Sequence, residues 1–494
     1  MDLKQLQNGS DIRGIAMGAD ANLTDLAVSK IACAFATWLA ARENKKCLIS
    51  VGMDSRLSGP AFRQTCIRSF VQSGADVIDS GMASTPAMFM STVTPGFMCD
   101  GAVMITASHL PSNRNGLKFF TRDGGLEKQD ITKILEIAES ENFTSGSGSI
   151  QEKDFMSVYA KILSDKIQKE TGEQKPLSGL KIIVDAGNGA GGFYVEKVLK
   201  PLGADTTGSQ FLDPDGNFPN HIPNPENAQA MQSISDAVVA TEADLGIIFD
   251  TDVDRAAAVD KGGEELSRNR LIAVISAILI GETKGATIVT DSITSSGLAQ
   301  FISKIGGKHH RFKRGYKNVI NEAIRLNNEG VYTPLAIETS GHAALKENYF
   351  LDDGAYLVTR LIIQMAKLRK DNKHLSSIIA SLKEPAESSE IRLKILEEDF
   401  KSYGNIVVQE LTAFAGKDAA YHIAPDNHEG IRVSFDHQNG DGWFLVRLSL
   451  HEPLLPINIE SDTAGGVRMI AERLYGFLKN YKGLDVTPLA LFLK

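Results

Sequence analysis

A serine with a histidine beside it follows an apolar stretch, and a lysine comes ten residues later. Ser108 and His109 follow the apolar run 101–105, which predicts a strand that ends in a polar turn. A serine hydroxyl is a poor nucleophile at neutral pH unless a base takes its proton or a metal lowers its pKa. His109 and Lys118 are therefore candidate proton handlers for a Ser108 nucleophile. An isolated Ser-His pair is more often an ordinary turn, so the interpretation depends on the other polar loops.

Three aspartates at alternate positions form the second loop. Asp250, Asp252 and Asp254 follow the apolar run 245–249 and precede Arg255. In an extended segment these side chains would lie on one side, where the carboxylates repel unless a cation lies among them. Oxygen-only ligands favour a hard ion such as Mg²⁺. The alternative is an acidic surface turn, but the flanking apolar strands favour a buried loop in which unpaired carboxylates would be costly.

An EF-hand is excluded by the residues of the same loop. That calcium loop needs glycine at its sixth position and glutamate at its twelfth. Counted from Asp250, these positions hold Arg255 and Lys261. The aspartate loop is therefore predicted to be a magnesium site of another kind.

Two later loops carry groups that bind sugars and phosphates. Glu338, Ser340 and His342 follow the run 332–337 and offer a carboxylate, a hydroxyl and an imidazole, which suit neighbouring sugar hydroxyls. Arg447 and Ser449 offer a guanidinium and a hydroxyl of the kind that bind a phosphate dianion. Each loop alone is weak, since polar turns and Arg-x-Ser sequences are common by chance.

A glycine-rich run suggests a competing function. Residues 187–192 satisfy G-x-G-x-x-G after a predicted strand, which is the dinucleotide-binding spacing. The acidic residue expected about 20 positions later is missing at the end of the next strand, because Asp205 comes too early and Asp213 lies in a turn-rich segment. We expect the glycines to permit close packing, and an NAD-linked oxidoreductase is the less favoured alternative.

The elements that must position these loops repeat along the chain. A pattern of apolar strand, polar turn, helix and second strand begins at residues 47–52, 180–185 and 286–291. In the second copy the predicted helix covers 193–202. Repeated βαβ units predict mainly parallel sheets covered by helices on both faces. The chain is thus predicted to be an α/β protein with three repeated βαβ-type, mixed-sheet domains.

After residue 386 the pattern changes to that of a smaller α+β domain. Strands are predicted over 406–409, 430–435 and 443–450, with a helix near 465–480. The predicted domains are 1–150 with the Ser108 loop, 151–282 with the aspartate loop, 283–385 with the Glu338 loop, and 386–494 with the Arg447 loop.

Composition restricts the class of partner and the compartment. The chain has 494 residues, 43 % hydrophobic residues and a net charge of −9, which argues against a nucleic-acid partner but not against a small anionic substrate. Its four cysteines show no C-x-x-C spacing and predict reduced thiols. The N-terminus lacks a secretory pattern, and no apolar run reaches the roughly 18–20 residues that span a bilayer. We expect a cytoplasmic protein without a membrane partner.

Taken in order, the four loops resemble the motifs of the α-D-phosphohexomutase superfamily, which includes phosphoglucomutases, phosphomannomutases and phosphoglucosamine mutases. The superfamily order is T-x-S-H-N-P, D-x-D-x-D-R, G-E-x-S-G-H and R-x-S-x-T-E-P, and the matching residues extend from Ser108 to Glu452. The resemblance implies four domains around a central cleft. The segments at Arg13, Arg56 and Lys317 are similar to superfamily segments that line this cleft.

The resemblance also implies a reaction and its cofactors. It implies transfer of a phosphoryl group between a phosphoserine at Ser108 and hexose phosphates, which interconverts 1- and 6-phosphates through a 1,6-bisphosphate. A sugar 1,6-bisphosphate would act as activator or phosphoryl donor, and the protein would be a monomer or homodimer. The implied Mg²⁺ ligands are Asp250, Asp252, Asp254 and the phosphorylated Ser108. The implied reactive groups are Ser108, His109, Lys118 and Arg255, with Arg447 and Ser449 binding phosphate. The implied substrate-binding residues are Arg13, Arg56, Lys317, Glu338, Ser340 and His342.

The chain departs from the superfamily pattern at several motif positions. Leu110 replaces asparagine, Ala336 and Ile337 replace two glycines, Leu450 replaces a small or amide residue, and His451 replaces threonine. The last two remove a hydroxyl and flexibility from the phosphate loop. They suggest an alternative, a hexose-1,6-bisphosphate synthase that takes phosphate from a sugar bisphosphate and releases its product. A non-catalytic sugar-phosphate sensor is less expected, because the serine and the aspartates are all present.

Overall fold

The computed structural model of the chain describes residues 2–449 and 452–494. The chain divides into two compact units: the first is Met1–Ile275 with Ser340–Ile378, and the second is Ser276–Thr339 with Ile379–Lys494. Within the described ranges, no helix combines the length and apolar character needed to cross a bilayer. The predicted domain limits at residues 150, 282 and 385 stay predictions.

The strands, in chain order, are β1 (Gln7–Asn8), β2 (Asp11–Ile15), β3 (Leu48–Met53), β4 (Asp76–Met82), β5 (Gly101–Ile105), β6 (Arg114–Thr121), β7 (Gly124–Gly125), β8 (Ile150–Glu152), β9 (Ile182–Asp185), β10 (Leu245–Phe249), β11 (Ala256–Asp260), β12 (Glu264–Leu266), β13 (Thr287–Thr290), β14 (Lys308–Arg311), β15 (Leu335–Ile337), β16 (Ala343–Leu345), β17 (Leu351–Asp352), β18 (Glu387–Ile395), β19 (His422–Ile423), β20 (Ile431–Phe435), β21 (Gly442–Val446), β22 (Leu454–Ser461) and β23 (Leu484–Asp485).

The α-helices are α1 (Asp25–Glu43), α2 (Gly59–Gln72), α3 (Thr85–Val93), α4 (Lys128–Ser140), α5 (Phe155–Thr171), α6 (Ala228–Thr241), α7 (Arg268–Glu282), α8 (Ser296–Lys304), α9 (Tyr316–Asn328), α10 (Gly354–Leu368), α11 (Phe400–Ala415), α12 (Gly466–Leu478) and α13 (Thr487–Phe492). A π-helical turn spans Val195–Leu199, and 3-10 turns lie at Leu3–Leu6, Lys346–Asn348, Arg369–Asp371, Leu375–Ile379 and His437–Asn439.

The sheet that positions Ser108 is parallel at its centre and antiparallel toward one edge. Its strands follow the order β1-β2-β6-β5-β3-β4-β8. β3 is parallel to β4 and β5, whereas β6 is antiparallel to β5 and β2. Phe35 of α1 packs on Phe70 of α2 and Phe119 of β6, so both helices share a core with the sheet. Because every residue of β5 is buried, the Ser108 loop leaves the sheet from a central strand.

A second sheet presents the aspartate loop. It has the order β12-β11-β10-β9, in which β10 is parallel to β9 and antiparallel to β11. Residues 250–255 join the fully buried strands β10 and β11. The helix predicted over 193–202 is helical over 193–199, where an α-helical start continues into the π-helical turn, and it ends before Pro201, which cannot donate the N–H that a longer helix would need.

The second unit contains a parallel three-stranded segment and an antiparallel sheet. β13 is parallel to β14 and to β15. The C-terminal sheet has the order β19-β20-β21-β22-β18-β23 and shares a core with α11 and α12. The predicted class, α/β mixed sheets followed by an α+β segment, is confirmed.

One predicted strand is wrong. Residues 406–409 lie within α11, not in a strand. Asp399 caps this helix by accepting a hydrogen bond from the Ser402 N–H, and Val407, Leu411 and Ala415 are buried at four-residue spacing. The helical period of the longer segment therefore outweighs the β-propensity of the short Ile-Val-Val run.

Candidate active site

Ser108 lies in a buried and strained loop after β5. Its φ of 51° is in the left-handed region, which residues other than glycine rarely adopt. Its backbone N–H donates to Thr106 Oγ1 at 2.9 Å, and its hydroxyl donates to Asp250 Oδ2 at 2.9 Å. Only 4 % of Ser108 is exposed. Tertiary contacts therefore fix the direction of the hydroxyl, as is common where backbone strain occurs at functional sites.

The Arg56 guanidinium supports the backbone of the Ser108 loop. It is fully buried, and its terminal nitrogens donate at 2.5–2.8 Å to carbonyl oxygens of that loop, those of Ser108, Leu110, Pro111 and Arg114. Asp54 accepts a hydrogen bond from the Arg56 N–H, and burial raises the pKa of Asp54 to about 6 despite this cation. Because these contacts occupy both terminal nitrogens, the substrate contact assigned to Arg56 stays a prediction.

The three aspartates converge in a turn and not in an extended segment. Asp250, Asp252 and Asp254 are buried, and one ligand atom from each lies within 4.8 Å of the others. Val253 between them has a φ of 67°, an outlier for a β-branched residue. The carboxylates therefore meet through a strained reversal of the backbone, whereas the sequence argument relied on strand alternation.

The donor set fits a hard divalent cation. Asp252 Oδ1 and Asp254 Oδ1 are buried and have no hydrogen-bond partner within the described part of the chain. A buried carboxylate oxygen without a partner is costly, and an ion that accepts oxygen ligands removes this cost. Three carboxylates in this arrangement match the all-oxygen chemistry of Mg²⁺.

Two basic side chains lie against the same aspartates. Lys118 Nζ is 3.1 Å from Asp252 Oδ2 and also forms an ion pair with Asp254. Arg255 Nη2 donates to Asp250 Oδ2 at 3.2 Å and to Ser108 Oγ at 3.3 Å. Burial raises the pKa of Asp254, but Lys118 and other nearby cations outweigh burial and hold this pKa below its usual range. For Asp250, burial and the other two aspartates raise the pKa.

His109 is held as a neutral imidazole. Its Nδ1 accepts a hydrogen bond from Arg255 Nη2 at 2.6 Å and lies 3.3 Å from Ser108 Oγ. Burial, followed by the charges of Arg255 and Arg13, lowers the pKa of His109 to about 3. Arg13 itself forms a 2.8 Å ion pair with Asp11 in β2. His109 therefore accepts hydrogen bonds at Nδ1 but binds a further proton weakly at neutral pH.

His342 has the opposite electrostatic environment. Its Nδ1 pairs with Asp352, and the two lie with Asp254 in a second cluster of metal-binding residue types. Burial lowers the pKa of His342, but Asp352 and Asp254 outweigh it and raise the value to about 9. The three-aspartate cluster offers oxygen ligands only and is therefore the better candidate site for a hard cation, whereas the pairing with Asp352 favours a protonated His342.

The glycine-rich run packs against the aspartate loop. A Cβ on Gly189 would lie 2.6 Å from the backbone oxygen of Thr251, and one on Gly191 would lie 2.8 Å from the Phe249 ring. Glycine is needed at these positions because backbone atoms of Thr251 approach Gly189 and the Phe249 side chain approaches Gly191. The predicted packing role is confirmed, and protein atoms fill the space next to these glycines.

The Glu338 loop is held by partners within each unit. In the second unit, Glu338 accepts a hydrogen bond from the Gly315 N–H at 2.6 Å, and Thr339 Oγ1 donates to Asp291 at 2.8 Å. Lys317 lies in the first turn of α9, which begins one residue after Gly315. In the first unit, Ser340 is buried and its Oγ has no partner among the described residues, as expected of a hydroxyl that binds a ligand.

Arg447 is paired with an acidic residue that the sequence analysis did not select. Its Nε lies 3.9 Å from Glu429 Oε1, and Glu429 also accepts a hydrogen bond from Ser292. Ser449 Oγ accepts from the Glu452 N–H at 3.4 Å. Leu450 and His451, which motivate the synthase alternative, lie outside the described residues.

Several supporting residues were missed by sequence reasoning. Their partners lie between 10 and 167 positions away in the chain, and no local spacing marks them: Thr85, Asn224, Asp352 and Glu429. Asp54 lies in the segment at Arg56 that the resemblance had marked, but its hydrogen bond to the Arg56 N–H was not expected. Asn224 and Glu429 had no such signal in the sequence.

The fold and site define an α/β protein in which a buried serine hydroxyl faces a cluster of three aspartates, a candidate oxygen-only metal site. Three family descriptions match the chain in order, "Phosphoglucomutase/phosphomannomutase, alpha/beta/alpha" domain I at residues 4–145, domain II at 157–263 and domain III at 267–385. The chain belongs to the phosphoglucomutase/phosphomannomutase family. The resemblance deduced from the four loops is confirmed.

Individual relatives agree with this assignment. The chain is 32 % identical over 474 residues to a phosphoglucomutase of Neisseria gonorrhoeae, covering 95 % of this chain and 96 % of the relative. It is 30 % identical to a phosphomannomutase/phosphoglucomutase of Pseudomonas aeruginosa over 84 % of both chains. The crystal structure of a family protein from Burkholderia thailandensis superposes with a TM-score of 0.81 at 27 % identity, covering 97 % of this chain and 98 % of that one.

Proposed function

We propose that this chain is a phosphohexomutase that transfers a phosphoryl group between Ser108 and hexose phosphates, interconverting the 1- and 6-phosphates through a 1,6-bisphosphate. The observation that carries the proposal is the 2.9 Å hydrogen bond from Ser108 Oγ to Asp250, in a triad that keeps two buried oxygens without hydrogen bonds. It supports the proposal because a hydroxyl that could act as the nucleophile lies directly beside a candidate metal site. The names of the relatives supply the substrate class.

The aspartate triad would hold Mg²⁺ together with an oxygen of the phosphorylated Ser108. When bound, the ion supplies neutralisation of the charge that develops on the transferring group. Arg255 adds a fixed cation that contacts both Ser108 Oγ and Asp250, and it also orients His109. Positioning and charge stabilisation by fixed groups account for most of the catalysis in phosphoryl transfer.

Lys118 is the stronger of the two proton handlers. A group whose pKa is lowered to about 3, as that of His109 is, accepts a proton poorly at neutral pH. Lys118 is buried beside Asp252 and Asp254, close to the position that a substrate hydroxyl would need to reach. We propose that Lys118 exchanges the proton of the attacking or leaving hydroxyl, while His109 holds the Arg255 guanidinium beside Ser108 by accepting a hydrogen bond from its Nη2 at Nδ1.

The remaining predicted residues would bind the sugar and its distal phosphate. Arg447 and Ser449 would hold the phosphate that does not react, and Glu338 with Ser340 would bind ring hydroxyls. Because the bisphosphate must bind in two orientations, these contacts should use the 3- and 4-hydroxyls. Glucose and mannose agree at those positions, so we expect both to be substrates. Arg13, Arg56, Lys317 and His342 are proposed to contribute to substrate binding.

Intact-protein mass spectrometry with peptide mapping tests the central step. After incubation with glucose 1,6-bisphosphate and removal of the sugar, one phosphoryl group should map to Ser108. Ser108→Ala should carry none and should lose turnover, whereas Ser10→Ala tests a serine remote from the aspartate loop. Phosphate on another residue, or full activity of Ser108→Ala, would contradict the proposal.

A second candidate is release of the bisphosphate as product, favoured by the sequence at Leu450 and His451. Loss of a hydroxyl from the phosphate loop would weaken retention of the intermediate. Mixing phosphorylated protein with glucose 1-phosphate separates the candidates, because a mutase accumulates glucose 6-phosphate and a synthase accumulates free bisphosphate.

A further inference from the structure

The segment 211–227, here called the support loop, contacts the side chain of Arg255. Asn224 Oδ1 accepts a hydrogen bond from Arg255 Nη1 at 3.0 Å, and Glu226 Oε2 lies 3.8 Å from the same nitrogen. The other terminal nitrogen of Arg255 contacts Ser108 and His109. The support loop therefore fixes one end of the guanidinium whose other end faces the nucleophile.

A buried ion pair anchors the support loop to the end of β9. His221 Nε2 lies 2.9 Å from Asp185 Oδ2, and His221 Nδ1 lies 3.0 Å from the carbonyl oxygen of Ile222. Both partners are acceptors, so both ring nitrogens carry protons and the imidazole is a cation. Burial lowers the pKa of His221, but the hydrogen bond and charge of Asp185 outweigh it and raise the value. The one ionisable group paired with this ring in the described chain is Asp185, and the ring also packs on Phe211.

The glycine-rich run completes this anchor. Asp185 also accepts hydrogen bonds from the Gly187 N–H at 2.8 Å and from Gln210 Nε2 at 2.7 Å. Gly187 has a φ of 52°, and a Cβ there would lie 2.8 Å from Pro223 Cβ. The run that resembled a dinucleotide loop thus forms the surface on which the support loop rests.

We propose that His221, as a cation held by Asp185, is a positioning residue that keeps the support loop and its Asn224 in place against Arg255. The inference rests on the proposed function, since it assigns Arg255 a role at phosphorylated Ser108. His221 contacts neither Ser108 nor the aspartate triad, and it acts through Asn224 and Arg255. Its loss should therefore lower kcat more than it raises KM for the hexose phosphate.

The direction in which the effect on kcat changes with pH follows from the charge of His221. The support loop is held in place while His221 is protonated, and this positioning is lost as the pH rises through the raised pKa of His221. A glutamine at this position does not titrate. The ratio of wild-type kcat to that of His221→Gln should therefore be largest at low pH and approach one at high pH, which simple destabilisation would not produce.

The experiment compares His221→Gln with His437→Gln, a matched change at an exposed histidine of the second unit. At pH 7 we expect about a tenfold or greater loss of kcat for His221→Gln, the size expected when a charge-assisted hydrogen bond is removed. KM and phosphorylation of Ser108 by excess bisphosphate should change little, and His437→Gln should behave as wild type. Wild-type kcat and a pH-independent ratio for a folded His221→Gln would overturn the inference.

A second variant keeps the test decisive if His221→Gln does not fold. Asn224→Ala removes the contact to Arg255, together with the hydrogen bond that Asn224 Oδ1 accepts from the Glu226 N–H, and should lower kcat by a similar factor. The double variant His221→Gln with Asn224→Ala should be no worse than Asn224→Ala alone, because both changes interrupt one route. Additive losses would contradict the inference. Absence of hexose-phosphate turnover in the wild type would instead contradict the proposed function.

Discussion

In Asp252 and Asp254, one carboxylate oxygen of each residue indicates a candidate site for a metal ion. Each keeps one buried carboxylate oxygen without a hydrogen bond in the described chain, although Lys118 contacts the other oxygen of both. Because Lys118 neutralises the two carboxylates only in part, a divalent ion would fit beside their remaining oxygens better than a second basic side chain would. Arg447 Nε is likewise buried without a hydrogen bond in the described chain, and its ion-pair partner Glu429 lies 3.9 Å away.

Asp252→Asn should lower turnover by about 100- to 1,000-fold. The amide nitrogen cannot bind Mg²⁺, and the lost interaction is strongest in the transition state. Steady-state kinetics over a Mg²⁺ titration measure the change, with Asp236→Asn on the exposed face of α6 as the matched control. If Asp252→Asn keeps the wild-type turnover and metal response, the ion binds elsewhere.

Arg447→Lys should raise KM for glucose 1-phosphate by about tenfold or more. Lysine keeps the charge but cannot bind phosphate through two parallel N–H groups. Phosphorylation of Ser108 by excess bisphosphate should persist, and Arg468→Lys on α12 is the exposed control. An unchanged KM would place the phosphate site away from this loop.

At the scale of elements, strands β20, β21 and β22 build a charged stack on one face of the C-terminal sheet. The Arg432 guanidinium lies 3.5 Å from the ring centroid of Trp443, and Trp443 Nε1 donates to Glu460 Oε2 at 2.9 Å. Ser434, Trp443 and Glu460 are direct cross-strand neighbours. Burial raises the pKa of Glu460 to about 7 despite Arg432. The stack therefore makes the stability of this sheet depend on pH.

We expect the wild-type free energy of unfolding to rise as pH falls from 8 toward 5. The folded protein binds the Glu460 proton near pH 7, whereas the unfolded chain binds it near its ordinary pKa, so protonation favours the fold. Glu460→Gln should remove about 1–3 kcal/mol of this pH dependence. Urea unfolding followed by Trp443 fluorescence in a Trp38→Phe background measures it. Glu472→Gln on the surface of α12 is the control, and an unchanged pH profile in Glu460→Gln would contradict the prediction.

At the scale of the whole molecule, the groups proposed to bind phosphate are positively charged although the net charge of the chain is negative. The chain carries a net charge of −9, yet the proposed phosphate contacts are the cations Arg255 and Arg447. Recognition of an anionic sugar therefore depends on local groups and not on the net field. Whether the bisphosphate stays bound while it reorients depends on how well both phosphate sites hold it.

If the loop at Leu450 and His451 retains phosphate poorly, free hexose 1,6-bisphosphate should accumulate in amounts comparable to the isomerised monophosphate. A lost charge-assisted contact corresponds to roughly 10- to 150-fold faster dissociation. Leu450→Gly with His451→Thr should then shift the output toward isomerisation, as measured by anion-exchange chromatography of the products. Tight mutase behaviour, with no bisphosphate detected over many turnovers and no donor needed after priming, would remove the synthase alternative.

The sequence by itself determined the family and the fold class, and it identified the candidate residues of each loop. Ser108, the aspartates and Arg255 are identified by local order and spacing, because residues close in the chain must share one loop. The βαβ repeats are likewise visible as short apolar runs between turns. Where two local signals conflicted, as in α11, the longer helical period prevailed over the short β-branched run.

The tertiary structure alone decided which residues serve these groups and in which charge state. Ser108 and Asp250, which share a hydrogen bond, are 142 positions apart in the chain, and the ion pair His221–Asp185 joins residues 36 positions apart. No local pattern reports that Arg56 supports the Ser108 loop, that His109 is neutral while His342 is cationic, or that the glycine run supports a loop. Burial and long-range partners set these properties, because both depend on how the chain folds back on itself.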